Sequence, residues 1–164
     1  MTMILPVVVL TLLAGPFEGP CQLLTSADVR AVQGTPVRDA RSTLDRAKGL
    51  EYAQCVFATE EFVRSISLTV ISGPADATQK YWTDTFHPKR SEAETKAALR
   101  KKELPRAVPG IADEAFWTGD SRTGALYARK GDTVLRLSIG GVADEEERLR
   151  RTRQLAELAL KRLQ

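Results

Sequence analysis

His87 is the chain's single imidazole, and it lies between Phe86 and Pro88 where the proline interrupts a helical stretch. As a general base it would need a group to orient the ring and a nucleophile within reach. The sequence offers no G-x-S-x-G elbow, and the two cysteines, Cys21 and Cys55, are better explained by each other, so His87 reads as a surface residue at a turn. Asp113, Glu114, Asp120 and Asp132 are the carboxylates nearest the strand ends. Paired carboxylates can run glycoside hydrolysis or bind a divalent cation, but both need separations that no local motif fixes here. The acidic positions also lack the loop spacing of an EF-hand. We therefore expect no catalytic residue, no metal and no cofactor. The alternative is a hydrolase-type enzyme using the carboxylates near Asp113 and Glu114, helped by His87.

Binding chemistry is better supplied. Between positions 89 and 106 seven basic residues (Lys89, Arg90, Lys96, Arg100, Lys101, Lys102, Arg106) face only Glu92, Glu94 and Glu103, a local excess of four. The whole chain carries 24 Lys and Arg against 21 Asp and Glu, a net charge of +3, so the rest is close to neutral. A helix with such a face suits lipid headgroups, polysaccharide or an acidic protein; its bland counterpart is a solvated face with i,i+4 pairs. Lys89, Arg90, Lys96, Arg100, Lys101 and Lys102 are the candidate anionic-surface residues. No aromatic interleaves with them, which argues against a nucleic-acid platform. A second set, Tyr81, Trp82, Phe86, Phe116, Trp117 and Tyr127, falls on a helix and two strands. It could line a pocket for an apolar small molecule, or simply form core.

The N-terminus addresses the compartment. Residues 4–14 form an uncharged apolar run of eleven, shorter than the ~20 needed to span a bilayer and within the roughly 7–15 of a signal-peptide core. Gly15, Pro16, Gly19 and Pro20 then break the chain. We expect 1–19 to be a signal peptide or N-terminal hydrophobic segment and 20–164 a single exported domain, periplasmic or extracellular. Glu18-Gly19-Pro20 ahead of Cys21 are unsuited to lipidation, so no lipid anchor through Cys21 is expected. Two cysteines in an exported domain most simply pair as one disulfide.

Several elements must position these groups. Thr25 and Asp28 make a capping signature for a short helix stopped by Gly34 and Pro36. Residues 38–49 are polar without a period and read as a loop. Residues 50–58 and 62–72 read as strands, with Phe62, Ile66, Leu68 and Val70 alternating in the second. A helix over 75–86 follows, then one opened by Ser91 and Glu94 and running to about residue 103. Strands are expected at 114–117, 125–130 and 133–139, the last two joined by Gly131-Asp132. Asp144 caps a C-terminal helix with Leu149, Thr152, Leu155, Ala156, Ala159, Leu160 and Leu163 turned inward.

The pattern is α+β: a single antiparallel sheet of about five to six strands with helices packed on one face. A weak repeat of two halves, each a helix followed by a meander, is also expected.

Two stretches resemble a known group. Cys21-Gln22-Leu23-Leu24-Thr25 with a second Cys in a following strand is one; Gly110-Ile111-Ala112-Asp113-Glu114-Ala115-Phe116-Trp117 followed by Arg129-Lys130-Gly131-Asp132 is the other. The pattern is similar to the domain-of-unknown-function lipoproteins of actinobacteria and their soluble exported relatives. The resemblance implies an exported α+β domain with a disulfide and carries no catalytic residues to transfer. The leading expectation is a non-enzymatic exported binding or accessory domain, meeting an apolar small molecule, an envelope protein or an anionic surface.

Overall fold

The computed structural model describes residues 19–101 and 104–163; the expected signal segment and Lys102 lie outside the described residues. The elements are α1 (Ser26–Gln33), β1 (Val37–Ala47), β2 (Leu50–Thr59), β3 (Ile66–Ser72), α2 (Ala75–Phe86), α3 (Glu92–Lys101), β4 (Arg106–Ala107), β5 (Glu114–Gly119), β6 (Gly124–Lys130), β7 (Thr133–Ile139) and α4 (Glu145–Arg162). The strands form one antiparallel sheet in the order β1-β2-β3-β7-β6-β5-β4.

The class is α+β with a single antiparallel sheet, as expected, but it has seven strands rather than five or six. Residues 38–49 are not a loop: β1 occupies most of them as an edge strand, exposed from Ala40 to Ala47. A strand wet on both faces needs no alternation, so periodicity is silent about it. Its charges restrict what that edge can pair with. The two-residue turn at Lys48 and Gly49 takes φ of 53° and 78°, the left-handed geometry that matches strand twist. The other added strand, β4, is only two residues long. The strand expected from 62 begins at Ile66 instead, because Phe62–Arg64 forms a 3-10 turn that leaves Phe62 77% exposed.

The helices do not share one face, which corrects the second expectation. Register places Cys55, Leu68, Leu137, Leu126 and Trp117 in one row across the sheet. That face carries the main core, covered by α4, with α1 packed on α4. The opposite face carries Ile71, Val134 and Phe116, and there Trp82 and Phe86 of α2 pack against them. The halves form meanders of three and four strands, and the helices that follow them lie on opposite faces. The expected two-half repeat is not evident in this arrangement.

Local chemistry fixes the helix ends. Thr25 and Asp28 form the reciprocal capping box of α1, Ser91 and Glu94 that of α3, and Asp144 accepts from the Glu147 amide to start α4. Cys21 and Cys55 are joined, with Cα atoms 5.1 Å apart, tying the N-terminal 3-10 turn Pro20–Gln22 onto the centre of β2. Arg148 was not foreseen in the core, yet it is 1% exposed. Its guanidinium donates to the carbonyls of Val142, Ala143, Asp120 and Ser121 at 3.0–3.4 Å. It thereby pins the β5–β6 turn to the start of α4, and its charge is solvated by carbonyl dipoles in place of water.

Candidate functional site

Helix α3 is held by its own chemistry more than by packing. No residue of it is buried; Thr95 and Ala98 are half-buried and the others are exposed. At 3.6 residues per turn, Lys96 and Arg100 point away from Thr95 and Ala98, with Lys101 at the flank. The basic residues therefore form the outward arc. Of the acidic residues described here, Glu94 is committed to the helix cap and Glu92 to Lys96. Glu94 accepts from the Ser91 amide and hydroxyl, bonds that hold its carboxyl below the usual range, and Glu92 pairs with Lys96 at 2.9 Å. Lys89, Arg100 and Lys101 make no ion pair among the described residues. Arg90 is exposed just before the cap, and Arg106 on β4 pairs with Glu146 at 2.6 Å.

Five of the six aromatics converge on the α2 face. Trp82 and Phe86, one turn apart on α2, lie 4.4 Å apart by ring centroid; Phe86 stacks on Phe116 at 4.8 Å and meets the edge of Tyr127 at 5.2 Å. These rings contact one another as a packed layer. Tyr81 sits beside them, and burial, helped by Tyr127 and Tyr52, pushes its phenol up to about 12. It lines a cleft of about 570 Å³ with Leu50, Tyr52, Asp76 and Asp84. Trp117 is elsewhere: it lies on the α4 face, donates its indole N–H to Glu145 at 2.9 Å, and lines a second cleft of about 540 Å³ with Leu99 and Lys101 of α3. The signal for this split was present, since Phe116 and Trp117 are adjacent in a strand and must point to opposite faces.

The carboxylates of the enzyme alternative also part. Asp113 accepts the Gly131 amide at 2.7 Å and latches the β6–β7 turn. Glu114 faces α2, where one oxygen accepts the Trp82 indole N–H at 2.5 Å and the other bonds His87 Nε2 at 2.8 Å. Of the groups that the enzyme alternative names together, the structure joins His87 to Glu114 and leaves Asp113 apart from them. Arg129, register partner of Glu114, lies 5.8 Å from the centre of the Trp82 ring, and its Nε is buried without a hydrogen-bond partner. The His87–Glu114–Trp82 chain orients an imidazole, but both oxygens of Glu114 are used in holding α2 to the sheet. No group of three or more metal-ligating side chains occurs among the described residues.

No protein-family model matches the chain, and no curated protein matches it. Among solved structures, the extracellular domain of PknH from Mycobacterium tuberculosis aligns at a TM-score of 0.41 and 13% identity, covering 85% of this chain and 94% of that one. No helix among the described residues is long and apolar enough to cross a membrane.

Proposed function

We propose that this chain is an exported, disulfide-bonded domain that works by binding, and that α3 is its contact element toward an anionic envelope surface. The observation that carries the reading is a ten-residue helix that buries no side chain and turns Lys96 and Arg100 to solvent. Such a helix adds little to the core, so its basic composition is not needed to build the fold. Export is supported by the apolar run at 4–14 and by the Cys21–Cys55 bridge. A Cys21 sulfur engaged in that bridge has no valence left for a lipid thioether, which supports a chain not anchored there. The apolar-ligand reading has less support, because Trp82, Phe86, Phe116 and Tyr127 fill the space between them. The hydrolase reading has less still, since Asp113 and Glu114 serve separate structural bonds.

Co-sedimentation with vesicles containing phosphatidylglycerol tests this reading. The full chain should bind at low salt and detach at about 0.5 M, where screening shortens the reach of charge to a few ångströms. The triple variant K96A/R100A/K101A should bind about 100-fold more weakly, at ~1 kcal/mol per basic residue. Unchanged binding by a triple variant with wild-type tryptophan fluorescence would rule the reading out.

A further inference from the structure

The outer edge of β1 is a long strand edge with no neighbour in the sheet among the described residues. Its side chains are exposed from Ala40 to Ala47, and Leu44 keeps 54% of its surface in water. We propose that β1 is a homotypic interface, at which two copies of this chain pair antiparallel about a two-fold axis through Thr43. The argument is one of register. Pairing with β2 puts Arg41, Thr43 and Asp45 on the α2 face, opposite Val56, Gln54 and Tyr52. A two-fold axis perpendicular to the sheet keeps each face continuous, so only registers centred on a residue are allowed.

Those registers are not equivalent. Centred on Ser42, residues 37–47 would overlap fully, but Asp39 would meet Asp45 and Arg38 would meet Arg46, each twice. Centred on Arg41, that residue meets itself. Centred on Leu44, no opposite charges meet, because Asp45 falls against Thr43 and Arg46 against Ser42. Centred on Ala40, Asp39 of each copy would meet Arg41 of the other, but only 37–43 overlap, across the irregularity between Val37 and Asp39. Centred on Thr43, residues 39–47 overlap and Arg41 of each copy faces Asp45 of the other on the same side of the sheet. Leu44 then lies diagonal to its counterpart, within reach of a long side chain. Arg41 is available for this: its side chain is 84% exposed, and its contact with Asp39 is a surface one. The charges thus block the register of greatest overlap, and charge and length of overlap together favour one two-fold pairing, which closes the edge and ends growth at two copies.

Sedimentation velocity on the full chain, purified from an exporting host, tests the proposal from about 1 µM to about 1 mM. The wild type should shift from monomer to dimer across that range. R41D and D45R should each weaken the dimer about 30-fold, about 2 kcal/mol, since two attractive cross-strand pairs become repulsive. An equimolar mixture of the two variants should recover dimer, because in the mixed pair every introduced charge faces its opposite. A wild type monomeric throughout overturns the proposal. So does a dimer indifferent to R41D, or a mixture that fails to recover.

Discussion

Reduction of the Cys21–Cys55 bridge is the perturbation whose size follows most directly from the structure. The bridge closes a loop with a sequence separation of 34. On the chain-entropy model, opening such a loop releases the unfolded chain by about 3–4 kcal/mol. Reduction removes no atom, so no side-chain volume is lost at Cys55, which is fully buried on α4's side of the sheet. With a urea m-value of about 2 kcal/mol/M, the midpoint should fall by roughly 2 M. Trp82 and Trp117 are both buried, on opposite faces, so fluorescence reports the two layers together in one titration. The comparison is wild type with and without a phosphine reductant, with loss of the bridge confirmed by mass. A C21A/C55A variant should fall further, because Cys55→Ala also removes a buried sulfur. Superimposable urea curves for oxidised and reduced protein would refute the reasoning, since they would mean that closing the loop does not restrict the unfolded chain.

Two further outcomes are expected. Glu114→Ala leaves the Trp82 indole N–H buried without its acceptor and should cost about 2 kcal/mol, while His87→Ala on the exposed side of the same carboxylate should cost under about 0.5 kcal/mol; chemical denaturation of both checks this. Burial pushes the Asp28 carboxyl upward, but hydrogen bonds from Arg162 and Thr25 outweigh it and hold the group below its usual 3.8. A folded pKa below the unfolded one contributes stability at pH values above the unfolded pKa, and that contribution is lost as pH falls through the folded value. The stability difference between wild type and Asp28→Asn should therefore be constant at neutral pH and shrink on acidification below 3.8, measured by urea titrations across the range.

The elements with a dry face were legible in the sequence. α2 runs over the expected residues because Pro74 and Pro88 bound it and Trp82 and Phe86 share a face. β7 and the buried stripe of α4 were equally clear, since their apolar spacing answers to one core. β1 was not, because a strand that touches water on both sides has no reason to alternate. Helix placement on one face was misread for a different reason: the sheet is apolar on both faces near its middle, and periodicity does not say which side a helix returns to. Ile71 and Val134 on one side, with Leu68 and Leu137 on the other, are the residues that make both faces available. The aromatic set divides at Phe116 and Trp117, whose alternation along β5 sends them to opposite faces. Arg148 sits on the inward stripe one turn before Thr152, so its position was visible while its role was not. The need for a cation there comes from four loop carbonyls that only the folded turn brings together.

The order of strands across the sheet also sets an order in time. β1, β2 and β3 are neighbours in sequence, and both cysteines precede residue 56, so the first meander can pair without the rest of the chain and its bridge can close once that stretch is in an oxidising compartment. β3, however, takes β7 as its other neighbour, and β7 begins only at Thr133. Until then the edge bearing Ile66, Leu68 and Val70 is bare, and it is far more apolar than the charged edge at β1. Pairing across so long a separation is slow to form and leaves an adhesive strand waiting. The folded chain leaves its charged edge for a second copy, while the apolar one is bare only until β7 is in place.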